Sequence, residues 1–162
     1  QFQLTDRPRT YLASGGGGTL GYDLPAAIGA KIARPEATVV AVMGDGGFGF
    51  MMEEMAVACQ YKVPVIVVIV NNGYLSLIRQ NQKYAYKYEY AVDLSYDGLG
   101  MDFVKIAEGF GAYAERITKP DEIMAALERC VRSGKPALLD VIVERQTDAS
   151  MGPSIDAITE FA

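Results

Sequence analysis

The sequence predicts an α/β fold, a doubly wound parallel sheet with helices on both faces. Three observations carry that expectation. Largely apolar runs stand at 38–43, 63–70 and 137–143, the first of them continuous and β-branched, the pattern of a strand buried on both faces of a parallel sheet. Segments with apolar residues at helical spacing separate these runs. Glycine- and asparagine-rich turns sit where the runs end. Strands alternating with helices of this length imply βαβ units.

Taken in order, 10–13 is a short apolar run stopping at Ser14-Gly15-Gly16-Gly17-Gly18. From 22 to 33, Leu24, Ala27, Ile28 and Ile32 recur at helical spacing, Pro25 is tolerated in the first turn, and Pro35 ends the helix. The strand at 38–43 runs into Gly44-Asp45-Gly46-Gly47, and 48–60 reads as one helix. The strand at 63–70 ends at Asn71-Asn72-Gly73. Residues 83–100 are irregular and tyrosine-rich, 101–110 is a helix and 112–117 a strand. Pro120 opens a helix over 121–131, the last strand is 137–143, and a weakly patterned tail follows. No internal repeat is present.

Composition narrows the function. The chain has 162 residues, half of them apolar, which suits one domain. With 15 basic and 20 acidic residues the net charge is −5, a poor match to nucleic acid or an anionic membrane surface. Histidine is absent, so neither a Ser-His-Asp unit nor a His-ligated zinc can be built from this chain. Cys59 and Cys130 lie far apart in apolar helix-like runs, and they read as buried, reduced thiols of a cytoplasmic protein. The longest apolar run is too short to span a bilayer. The chain opens on Gln1, and the expectation is a piece of a longer subunit.

In a doubly wound sheet, ligands bind beyond the carboxyl ends of the strands. The segments 14–21, 44–49 and 71–74 are each placed at such an end, so they are expected to converge. Gly44-x-Gly46-x-x-Gly49 after a strand formally matches the dinucleotide fingerprint. Asp45 within that loop would repel a pyrophosphate unless a divalent cation lay between them. The next strand ends in Asn71 and Asn72, not in the acidic residue that would hold a ribose. Oxygen donors of this kind suit Mg²⁺ shared with a diphosphate. A Rossmann-type dinucleotide domain is the alternative.

Gly44-Asp45-Gly46, a spacer of 24 residues, and then Asn71-Asn72 resembles the motif of thiamine diphosphate enzymes. SGGGGTLGYDLPAAIGA, NNGYLSLIRQ and MDFVKIAEGFGA are similar to the acetolactate synthase and glyoxylate carboligase branch. The likeness covers nearly the whole chain as the carboxyl-terminal, diphosphate-binding domain of a longer subunit. By matching position, the resemblance implies that Asp45 and Asn72 give side-chain oxygens to Mg²⁺ and Tyr74 its carbonyl. Gly44, Asp45, Gly46, Gly47, Asn72, Tyr74 and Leu75 are implied to bind cofactor. The carbonyl of Gly18 would accept from the cofactor's amino group, and Leu20 would be the apolar wedge that bends the cofactor into a V. Leu77 and Ile78 would face the substrate, with a helix face packed in the core as the competing role.

The implied activity is decarboxylation of a small 2-keto acid followed by carboligation, in an oligomer whose other domains complete the site. The glutamate that activates the cofactor is implied to lie on another domain, glyoxylate carboligase being the exception. FAD, where the parent enzyme uses it, is implied to bind outside this domain. The chain departs from acetolactate synthases at Asn81, where those enzymes carry Trp, and at Gly17 and Asp23. Its tail, ERQTDASMGPSIDAITEF, is closer to glyoxylate carboligase, while 88–101 is shorter than carboligases show. A cofactor-binding fragment inactive by itself is the further alternative. Tyr84, Tyr86, Tyr88 and Tyr90 alternate like a strand with one aromatic face, which suits contact with another domain or subunit.

Overall fold

A computed structural model describes residues 8–95, 98, 100–146 and 148. Four strands, β1 (Val40–Gly44), β2 (Ile66–Asn71), β3 (Tyr113–Ile117) and β4 (Ala137–Ile142), form one parallel sheet in the order β1-β2-β4-β3. Val40 pairs with Ile66, and Ile66 and Tyr113 both pair with Ala137. All four strands therefore start level, and their carboxyl ends lie along one edge. Loops leaving Gly44 and Asn71 must emerge side by side there.

The helices are α1 (Asp23–Ala33), α2 (Asp45–Met51), α3 (Glu54–Gln60), α4 (Ser76–Asn81), α5 (Phe103–Gly109) and α6 (Ile123–Ser133). On one face Leu24, Phe48, Met55 and Phe103, from α1, α2, α3 and α5, pack on Met43, Val67, Ile69 and Leu138 of the sheet. On the other, Ala126 and Cys130 of α6 pack on Ile66, Leu139 and Val141. The doubly wound arrangement is thus present. Among the described residues no helix is long and apolar enough to cross a membrane.

Four expectations need correction. The run 10–13 is not a strand: Tyr11 and Leu12 are exposed, and the run has no ladder partner, so 14–21 does not follow a strand. β1 is not buried on both faces. It is an edge strand, and Val40 and Val42 are exposed because α6 covers only the β2-β4-β3 side of its face. The single helix over 48–60 is two, α2 beginning at Asp45 and α3 after an interruption at Met52 and Glu53. The tyrosine segment is not a strand. α4 runs on as a π-helical turn, Gln82–Tyr86, which ends at Lys87 in left-handed geometry. Cys59 is half-buried and Cys130 buried, both as free thiols. The opening 1–7 and the carboligase-like tail beyond 148 lie outside the described residues.

Candidate diphosphate and metal site

Gly44 is extended (φ −77°, ψ 164°), and the chain turns directly into α2, making Asp45 its first residue. Asp45 is only 3% exposed. Its Oδ1 accepts from the Gly46 N–H at 2.7 Å and its Oδ2 from the Gly73 N–H at 2.6 Å. Burial raises its pKa above the ordinary value, backbone N–H groups of Gly46, Gly73 and Asn72 pull it back, and the charge of Asp140 pushes it up again. No basic side chain neutralises it through an ion pair among the described residues. A buried carboxylate in this condition is suited to a cation.

The loop leaving β2 supplies further oxygens. Asn72 Oδ1 accepts from the Tyr74 N–H at 3.2 Å and from the Ser76 hydroxyl at 2.9 Å. The same hydroxyl lies 3.3 Å from the Tyr74 carbonyl. The amide oxygen of Asn72 and the carbonyl of Tyr74 are thus gathered around Ser76. Sequence alone does not single out Ser76, because a serine starting a helix looks like an ordinary cap.

Arg145 is equally silent in the sequence. Its Nε–H donates to the Asn72 carbonyl at 3.2 Å and its Nη2 to Asp93 at 3.0 Å. Its guanidinium stacks 4.3 Å from the Tyr74 ring centre, with Arg79 at 4.6 Å from the same centre. Two cations are thus held against one ring. A lone arginine after the last strand carries no sequence signal of that role.

Close packing explains one glycine of the motif. A Cβ on Gly46 would stand 2.6 Å from Leu75 Cδ2, so the first turn of α2 and the 71–75 loop touch at this point. Asp45, Gly46, Asn72, Tyr74 and Leu75 are brought together, with Gly47 buried behind them. The glycine-rich loop joins from the other end of α2. Gly21 (φ +83°) packs against Met51 and Phe50, and a Cβ there would collide with the Met51 side chain. Gly18 (φ +52°) is open, with nothing within 4 Å of a Cβ placed on it. Leu20 is 48% exposed, Leu77 54% and Ile78 47%. Leu77 and Ile78 are thus not packed into the core of this chain.

The donor set is one carboxylate, one amide oxygen and one backbone carbonyl. No group of three or more Cys, Asp or Glu side chains suited to a metal occurs among the described residues. Such a set is too sparse for a cage built by protein alone. It fits Mg²⁺, which binds through one or two carboxylates and completes its octahedron with phosphate and water.

Similarity to known proteins agrees with this geometry. Residues 1–141 match the model of the thiamine pyrophosphate enzyme C-terminal TPP-binding domain. The chain is 41% identical to a glyoxylate carboligase of Escherichia coli O157:H7, covering 96% of this chain and 28% of that protein. It is 42% identical to a probable acetolactate synthase large subunit of Methanocaldococcus jannaschii, covering 99% of this chain and 27% of that one. A thiamine diphosphate-dependent 4-hydroxybenzoylformate decarboxylase of Rhodococcus jostii RHA1 superposes with a TM-score of 0.72 at 32% identity, over 78% of this chain and 24% of that one. The chain thus spans about a quarter of the length of the relatives it matches. With a single parallel sheet, a buried carboxylate at the end of β1 and a family match over most of its length, this chain belongs to the thiamine pyrophosphate enzymes, as their C-terminal TPP-binding domain.

Proposed function

We propose that this chain is the diphosphate- and Mg²⁺-binding part of an enzyme that decarboxylates a small 2-keto acid and joins the product to a second carbonyl compound. The observation that carries the reading is the buried Asp45 carboxylate beside the oxygens of Asn72 and Tyr74. Asp45, Asn72 and the Tyr74 carbonyl would hold Mg²⁺, and the amides of Gly46 and Gly47 would face the diphosphate. Thiamine diphosphate, when bound, supplies the nucleophilic carbon and the electron sink, so the absence of histidine is no obstacle. The Gly18 carbonyl and Leu20 would orient it from the glycine-rich loop. Leu77 and Ile78, exposed at the start of α4, would form an apolar wall that excludes water from the reacting carbon. The remaining walls would come from other domains and from a second subunit. The free thiols of Cys59 and Cys130 support a reducing, cytoplasmic setting.

Both carboligase and acetolactate synthase relatives match at about 40% identity, which leaves the acceptor to experiment. The full-length enzyme that contains this chain should be incubated with glyoxylate and with pyruvate in the presence of thiamine diphosphate and Mg²⁺, and the products identified by NMR. Tartronate semialdehyde or acetolactate is the expected outcome. Release of free aldehyde with neither coupling product would refute carboligation.

A further inference from the structure

Asp140 is 0% exposed in the middle of β4, flanked by Leu139 and Val141, an unusual place for a carboxylate. It is fully partnered. Its Oδ2 accepts from Arg116 Nε at 2.8 Å, directly across the ladder on β3, and Arg116 Nη2 goes on to Asp102 at 3.0 Å, ahead of α5. Its Oδ1 accepts from Asn71 Nδ2 at 2.8 Å, at the carboxyl end of β2. Asn71 Oδ1 in turn accepts from the Gly73 N–H at 3.1 Å, the same N–H that Asp45 Oδ2 engages at 2.6 Å.

We propose that Asp140 is a positioning residue for the metal–diphosphate loop, its acceptor-only carboxylate dictating which way the Asn71 side-chain amide points. The inference rests on the assignment of that loop to Mg²⁺ and diphosphate. An ionised carboxylate can only accept, so it draws the Asn71 NH₂ toward itself and turns the amide oxygen toward Gly73. With that orientation, two acceptors converge on the Gly73 N–H and Asn71 places no donor on Asp45. Rotating the amide by half a turn would set the NH₂ against the Gly73 N–H, donor to donor. The same NH₂ would then lie beside Asp45 Oδ2 and occupy a lone pair that a cation needs. Arg116 holds the carboxylate from the far side, so the relay runs from α5 through the sheet to Asp45. A merely structural ion pair would need Arg116 and Asp140 but would be indifferent to the direction of the Asn71 amide.

The test is calorimetric titration of the purified protein with thiamine diphosphate in the presence and absence of Mg²⁺. Asp140→Asn changes one atom and retains the shape. It can still accept from Arg116, but it then presents NH₂ to NH₂ at Asn71. The expected result is a folded protein whose Mg²⁺-dependent affinity is at least tenfold weaker. In the reciprocal pair Asn71→Asp with Asp140→Asn the 71–140 hydrogen bond is restored with donor and acceptor exchanged, while residue 71 still accepts from the Gly73 N–H and residue 140 from Arg116, and affinity should recover to within threefold. Unchanged affinity in Asp140→Asn would overturn the proposal. So would a loss that the reciprocal pair fails to recover, which would assign Asp140 to charge pairing with Arg116. If Asp140→Asn does not fold, Asn71→Ser serves, because its short hydroxyl cannot reach both Asp140 and Gly73; full affinity in that variant would overturn the relay. Absence of Mg²⁺-dependent binding by the parent would instead overturn the assignment of the loop itself, and this proposal with it.

Discussion

Asp45 keeps a carboxylate where burial opposes its charge, and its partners among the described residues are backbone N–H groups. A side chain retained for packing or for an ion pair would stabilise the fold by being there. Asp45 has no such ion pair among the described residues, and on the proposed reading a cation is its partner. Asp45→Ala should therefore leave the melting temperature of the unliganded protein within a few degrees of the parent, while abolishing the stabilisation conferred by cofactor. For the parent that stabilisation is about 2.7 kcal/mol at a ligand concentration 100 times Kd. Differential scanning fluorimetry with and without thiamine diphosphate and Mg²⁺ measures both quantities. A cofactor-induced shift retained by Asp45→Ala would place the metal elsewhere. The sequence singles out Asp45 and Asn72 because a carboxylate inside an anion-binding glycine loop calls for a cation, and asparagines at the next strand end would offer that cation neutral oxygens; what the structure adds is that the two strand ends stand side by side. Asp140 was equally visible, as the one charge in the run Ala-Leu-Leu-Asp-Val-Ile. Its meaning was not, since the partners Asn71 and Arg116 come from two other strands and only the sheet order brings them together.

At the scale of elements, local pattern located β2, β4, α1 and α5 to within a few residues, because β-branched runs and 3.6-residue spacing report local geometry. It failed where geometry is decided by neighbours. The alternation of tyrosines from 84 to 90 has the period of a strand, yet α4 runs on as a π-helical turn through Tyr84 and Tyr86 that ends at Lys87, and Tyr88 and Tyr90 follow outside any strand. The covering of each face is likewise tertiary. α6 is held to β3 by a two-point contact, Arg129 Nε to Glu115 Oε1 at 3.1 Å and Arg129 Nη2 to Oε2 at 2.7 Å. Chiefly through these bonds the Glu115 carboxyl lies below its ordinary value of 4.5. A depressed carboxyl contributes stability that is complete above its unfolded pKa and is lost as pH falls through the folded one. The Arg129 side chain is 41% exposed, so solvent screens the pair and its worth is about 0.5 kcal/mol. Glu115→Gln should thus be less stable than the parent by that amount at pH 6, and the gap should narrow as pH falls through the lowered carboxyl pKa, so that it is smaller at about pH 3, below the ordinary carboxyl range. Urea denaturation at the two pH values is the measurement. A gap that persisted in acid would mean that Glu115 acts by packing.

At the scale of the whole molecule, apolar side chains lie exposed on several faces. Val40, Val42 and Val70 leave the β1 side of the sheet bare, and Phe50, Leu20, Leu77 and Ile78 lie exposed around the proposed site. Tyr86, Tyr88 and Tyr90 are exposed along the segment after α4, with the rings of Tyr86 and Tyr88 6.2 Å apart. Exposed apolar side chains in this number suit contact surfaces, and the chain spans only about a quarter of its relatives. On this ground we expect the 162 residues, produced by themselves, to fold around their two-sided core but to self-associate. Light scattering should report a dimer or larger species, and a monodisperse monomer would show that these surfaces need no partner. The same chain should not turn over. On the proposed reading, Leu20 would bend the cofactor only if its far ring were held, and the proposed site residues would hold the diphosphate end. Affinity a thousandfold below that of a complete enzyme, a loss of about 4 kcal/mol, is the corresponding expectation. Carbon dioxide release from glyoxylate and from pyruvate, at saturating cofactor and Mg²⁺, decides the matter. Turnover within tenfold of a complete carboligase would mean that these residues contain the catalytic machinery in full and that the exposed leucines and isoleucine need no opposing domain.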